Sequence, residues 1–174
     1  MRIKHTVDEN RTDKDPTDAR MGGPMSFYNS PKGQDLLWLA SDASGRLAAF
    51  ITAGEGPVPK SLLAADIDIC TVEDELSSLP VIAAPKLLVS VPRPDDFIAL
   101  AQRGLWVYDW RDVHRSSSQA TRRYELVAMP VSPISVSDLP VGLGRLVELV
   151  RLRGIYFEDH ASLDMHSLVE CVST

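Results

Sequence analysis

The residues able to do chemistry in this chain are few and scattered. Four histidines occur, His5, His114, His160 and His166. His160 and His166 lie six apart, so they do not share a helix face as the i, i+4 histidines of a zinc helix must. Asp159, His160, Asp164 and His166 supply the donor types of a loop-built metal site, but in this polar stretch they read as surface loop residues. Acid/base catalysis needs carboxyl groups with positioned partners. The adjacent acids Glu158 and Asp159, and likewise Asp95 and Asp96, have none marked by spacing and read as solvated loop and helix-start residues.

Nucleophilic chemistry fares no better. Cys70 follows Asp68 in an apolar and acidic context, and neighbouring negative charge raises a thiol pKa where a reactive thiolate needs it lowered. No Gly-x-Ser-x-Gly elbow is present. Gly54 and Gly56, or Gly142 and Gly144, complete neither a dinucleotide fingerprint nor a phosphate loop. The residues therefore predict a protein that is not an enzyme and carries no cofactor or metal.

Two stretches point to binding. Between Lys60 and Lys86 no basic residue occurs, while Asp66, Asp68, Glu73, Asp74 and Glu75 crowd the first half of that window. Such an acidic stretch speeds encounter with a basic partner, or is simply a solvated face. The second runs from Trp106 to Arg115. As a strand it places Trp106, Tyr108 and Trp110 on one face and Leu105, Val107 and Asp109 on the other. Aromatics beside Arg111 and Arg115 are the composition of an interface anchor, and three aromatics in a row are equally the composition of a core. With Arg122 and Arg123 the same arginines could contact RNA, but Asp109 and Asp112 offset them and nucleic acid is not expected.

The elements that must hold these residues follow from local pattern. Leu36–Ala40 and Leu47–Thr52 read as two strands of a hairpin joined by turn formers ending at Gly45. Gly54–Pro59 is a breaker cluster, and Lys60–Asp66 begins a short helix. Thr71 is placed to cap a helix whose first turn carries Glu73, Asp74 and Glu75. Leu87–Val91 reads as a strand stopped by Pro92. From Asp95 a short helix buries Phe97, Leu100 and Ala101, spaced i, i+3, i+4, and Gly104 ends it. Leu105–Trp110 and Tyr124–Met129 are strands joined by a hairpin loop, and a helical stretch runs from about Pro140 to Leu152. Paired strands with interleaved helices predict an α+β fold, a mainly antiparallel sheet with helices packed on one side.

Composition sets the bounds. At 174 residues, with 44% hydrophobic and 24% charged residues, the chain suits one ordinary globular domain. Residues 1–24 mix charges of both signs with almost no apolar side chains, so they are expected to be a disordered tail or a mis-assigned start, with Met25 opening a single domain over residues 25–174. A net charge of −6, from 24 acids against 18 bases, disfavours broad phosphate-backbone binding. Two distant cysteines, Cys70 and Cys171, suit a reducing compartment. No apolar run is long enough to span a membrane or act as a secretory leader, so no membrane is expected and the cytoplasm is the expected location.

The segments LLWLASDASGRLAAFITAGEGPVP, RGLWVYDWRDVHR and YELVAMPVSPISVSDLP resemble small proteins encoded beside bacterial polymorphic and contact-dependent toxins, regarded as cognate immunity proteins. The likeness spans Asp35 to Pro140 and lies in fold-level patterns. It implies a stoichiometric inhibitor that occludes a toxin's active site, and it carries over no individual binding residue. The residues themselves leave two other classes open: a small-ligand binder or enzyme of unrecognised type, and a structural subunit that homodimerises through its sheet.

Overall fold

A computed structural model of the chain describes residues 33–65 and 71–172. The expectations about residues 1–24, Met25, Asp66, Asp68 and Cys70 lie outside the described residues.

The expected hairpin is present as β1 (Leu37–Ser41) and β2 (Leu47–Ile51), antiparallel, with Trp38 opposite Phe50 and Ala40 opposite Ala48. Both strands are nearly continuous apolar runs, the pattern of strands covered on both faces. Asp42 builds the turn: its Oδ1 accepts the N–H groups of Ser44 (2.8 Å) and Arg46 (3.0 Å). This is the Asx geometry that makes aspartate a turn former. Its Oδ2 accepts the distant Phe157 N–H at 3.2 Å, so the same buried side chain also anchors the C-terminal region.

After β2 the chain leaves the sheet through β3 (Val58–Pro59), α1 (Lys60–Leu63), α2 (Val72–Ser77), β4 (Lys86–Leu87) and α3 (Asp95–Ala101). It returns as β5 (Trp106–Asp109), which lies parallel to β2 with Phe50 beside Tyr108. A 3-10 turn and a loop lead to β6 (Tyr124–Met129), antiparallel to β5, with a shift of register between Val107 and Tyr108. Among the described residues the main sheet runs β1-β2-β5-β6-β4, and β7 (Ser162–Leu163) also pairs with β6. Among the described residues every pairing between the named strands but β2 with β5 is antiparallel. The fold is thus α+β with a mainly antiparallel sheet.

α4 (Val141–Glu148) packs on β1 through Leu143, Leu146 and Val147. The chain beyond it runs along β1, the Ser41 N–H donating to Val150 O and the Leu152 N–H to Ser41 O. These bonds pair the C-terminal end of the β1 edge at Ser41, backbone groups that would otherwise be open to another chain. α5 (Met165–Leu168) and β8 (Cys171–Val172) close the described chain, β8 pairing with β3.

Three local expectations need correction. The strand expected over Leu87–Val91 is only Lys86–Leu87, followed by one further bond from Leu88 N–H to Val127 O; with Pro85 before it and Pro92 after it, there is little room for a regular ladder. The helix expected to Leu152 stops at Glu148. Thr71 does stand at the head of α2, but with helical φ −84° and ψ −11°, and its side chain makes no cap bond. The helix at Asp95 ends as expected. Gly104 adopts φ +94°, and a Cβ there would come within 2.7 Å of Ile134.

Candidate functional site

The aromatic strand is core. Trp106, Tyr108 and Trp110 are 3%, 0% and 8% exposed. Trp38 stacks on Phe50 with centroids 4.1 Å apart, and Phe50 stacks on Tyr108 at 5.2 Å. Tyr124 stands edge-on to Trp38 and Phe50, and Trp110 edge-on to Tyr124. These offset and edge geometries add to area burial in aromatic clusters. The polar tips are paired internally. Tyr108 OH donates to His160 O at 2.7 Å, Tyr124 OH to Pro57 O at 3.1 Å, and the Trp38 indole N–H to Tyr124 Oη at 3.3 Å. Burial, reinforced at Tyr108 by the charge of Asp42, pushes both phenols well above their ordinary range, so they stay protonated donors. Gly56 lies so close to Tyr124 that a Cβ would come within 2.6 Å of its hydroxyl. Among the described residues only the Trp106 indole N–H is a buried side-chain polar atom with no hydrogen-bond partner.

The arginines after this strand are largely consumed by the loop they belong to. Arg115 grips Glu125 with both terminal nitrogens, at 2.5 and 3.0 Å, and reaches Asp112 at 3.1 Å. Arg111 lies 3.9 Å from Glu125. Arg115 first, against an opposing effect of burial, holds the Glu125 carboxyl below its ordinary range. Burial works the other way at Asp112 too, but the Thr121 and Arg122 N–H groups and Arg115 keep it low. Asp112 is the loop's organiser, accepting those two N–H groups at 2.9 and 2.7 Å. Next to this cluster Asp109 ends β5 buried; desolvation pushes its carboxyl up to about 6, Arg111 and His114 opposing and Asp35 adding.

The acidic stretch is placed differently. α2 buries Val72 and Leu76 and leaves Glu73 and Asp74 exposed. Glu75 turns toward α4, where a Cβ on Gly142 would lie 3.0 Å from its Oε2. Glu73 instead lines an open cleft of about 270 Å³ between α2, α3 and the sheet. The cleft has apolar walls from Leu37, Ile51, Leu76 and Leu100, and carboxylates from Asp35, Glu73 and Asp96. Arg103 also lines it, but its guanidinium is tied to the carbonyls of Leu79 (3.1 Å), Ala99 (2.6 Å) and Ser77 (2.9 Å). Among the described residues none of the three carboxylates belongs to an ion pair. Asp35 accepts a long bond from Thr52 Oγ1 at 3.3 Å. The arrangement can seat a cationic group with an apolar stem.

Sequence reasoning singled out Glu73, met Asp96 only as a helix-start acid, and missed Asp35 and Arg103. Asp35 carries one local signal, a charge directly before the apolar run of β1. Of the other candidates, Asp164 caps α5 by accepting the His166 N–H at 3.1 Å, and Glu158 pairs with Arg46. Burial, then the charge of Asp164, pushes the Cys171 thiol up to about 11. Among the described residues no group of three or more His, Cys, Asp or Glu side chains could hold a metal ion, and no helix is long and apolar enough to cross a membrane. Comparison with known proteins gave no match to a family model, a characterised protein or a solved structure.

Proposed function

We propose that this chain is a cytoplasmic protein-binding module that works by occupancy and not by turnover, an immunity protein that neutralises a cognate bacterial toxin by stoichiometric binding. The observation that carries the reading is the α2–α3 cleft, where Asp35, Glu73 and Asp96 surround apolar walls and no ion pair among the described residues engages them. Carboxylates left unpaired beside apolar surface gain by meeting a basic partner, because complementary charge raises the encounter rate and the apolar surface then leaves water. The exposed Asp74 extends the same charge along α2. The helices are read as one layer on the cleft side of the sheet, supported by α2 and α3 both lining the cleft over Leu37 and Ile51.

The buried aromatic strand contributes by holding this surface still. Trp106, Tyr108 and Trp110 act as scaffold, and Arg111 and Arg115 fix the neighbouring loop through Glu125. The test is rescue: co-expression with the toxin encoded beside this chain should restore growth, and the two proteins should co-elute as a one-to-one complex. Growth arrest that persists with every neighbouring toxin would sink the reading.

A further inference from the structure

We infer that the α2–α3 cleft is the seat of a single arginine side chain presented by the protein partner. This inference rests on the binding reading above and names the chemistry of its central contact. The size of the cleft comes first. At about 270 Å³ it falls just below the roughly 300–1,000 Å³ of pockets that enclose whole small molecules, and it is open to one side, as a socket for one protruding side chain must be.

Its lining has the order a long cation needs. Leu37 and Ile51 come from the sheet, Leu76 from α2 and Leu100 from α3, forming an apolar sleeve for a methylene stem. Asp35 precedes β1, Glu73 lies in the first turn of α2 and Asp96 in the first turn of α3, so the charges come from three separate elements. Arg103 brings one positive charge to the cleft lining, but among the described residues it forms no ion pair with the three carboxylates. Its bonds run to the backbone carbonyls of Ser77, Leu79 and Ala99, so the three acids outweigh it. Those bonds also lock the ends of α2 and α3 together, holding the walls apart at a fixed spacing. A guanidinium suits the site better than an ammonium. It offers five donors in a planar fork to several carboxylates and is less strongly hydrated, so entering a half-apolar cleft costs it less.

The probe is N-acetyl-arginine methylamide, titrated into the full ¹⁵N-labelled chain and followed by amide chemical shifts, with the citrulline analogue as a neutral isostere. The arginine compound should bind in the millimolar range and move the Leu76, Ala99 and Leu100 amides. The lysine compound should bind more weakly, and citrulline should leave these amides in place. The double variant E73Q/D96N should bind the arginine probe at least about fivefold more weakly, as expected for loss of two charge-assisted contacts, with the rest of its spectrum unchanged. Equal shifts from citrulline, shifts centred elsewhere, or no shift at saturating probe would overturn the inference. The two readings fail separately. If the neighbouring toxin binds wild type and E73Q/D96N equally, the socket is wrong and the binding module stands. If arginine fills the cleft but no neighbouring toxin binds, the socket stands and the immunity reading falls.

Discussion

The two faces of the central sheet solve opposite problems with the same kinds of residue. On one face Trp38, Phe50, Tyr108 and Tyr124 stack and edge against one another, and their hydroxyls and the Trp38 indole bond internally. On the other, Leu37 and Ile51 lie in an open cleft where three carboxylates belong to no ion pair among the described residues. The first face has almost nothing left to offer a partner. The second has apolar area still in water and charge still unpaired. Interactions are completed inside the chain on the first face and left open on the second.

The largest blow to this contrast should come from Phe50→Ala. Phe50 is fully buried at the centre of the stack, touching Trp38, Tyr108, Tyr124 and Phe157, and truncation of a buried phenylalanine costs about 3–5 kcal/mol. Urea unfolding measures it; a loss below about 1 kcal/mol would show that the face is not the structural centre. Next, Tyr124→Phe keeps the ring but strands the Pro57 carbonyl and the Trp38 indole. It should cost about 1–3 kcal/mol, the penalty for buried polar groups left unpaired.

Asp109 gives a pH signature of its own. Its folded carboxyl, at about 6, lies above the ordinary aspartate value, so the folded state holds the proton more tightly than the unfolded chain. The stability it contributes is full below about pH 4 and is lost as pH rises through about 6. Asp109→Asn should therefore be more stable than wild type at pH 7.5, by roughly 2 kcal/mol, as expected for a buried carboxyl that holds its proton this much more tightly than the unfolded chain. The advantage should vanish at pH 4. Glu125 and Asp112, held low, have the opposite sign and weaken the fold as pH falls through the acid range. A D109N unfolding midpoint lower than wild type at pH 7.5 would refute the assignment. The smallest stability effect belongs to α2: reversing the exposed Glu73 and Asp74 to Lys should cost about 0.5–1 kcal/mol, the loss of two acids from the first turn of the helix. The same change should slow partner association at low salt, read by stopped flow, and an unchanged on-rate would remove α2 from the binding surface.

Much of the fold was legible locally. The hairpin Leu37–Ile51, the helix Asp95–Ala101 and the strand Tyr124–Met129 each carry their pattern within a few residues, and the structure has them within a residue or two of expectation. The parallel pairing of β2 with β5 was not legible, because more than fifty residues separate the strands and no local pattern encodes which strand a chain returns to. The same non-locality hid the site. Asp35, Glu73, Asp96 and Arg103 come from four places in sequence and meet only through the crossover. Trp106, Tyr108 and Trp110 illustrate the converse: three aromatics on one face suit core and interface alike, and only the neighbouring elements decide. Arg115 read as a candidate contact offset in charge by Asp109 and Asp112; its bidentate partner Glu125 was not legible because it sits across a loop.

The central claim is that folding and binding are assigned to opposite faces, and one paired titration tests it. Under the proposed function, any toxin found encoded beside this chain would be titrated against wild type, E73Q/D96N and Tyr124→Phe, with urea unfolding of each protein run alongside. The account predicts that E73Q/D96N keeps its unfolding midpoint and loses about tenfold or more in affinity, while Tyr124→Phe loses stability and keeps affinity. Weakened binding in Tyr124→Phe with full affinity in E73Q/D96N would contradict it.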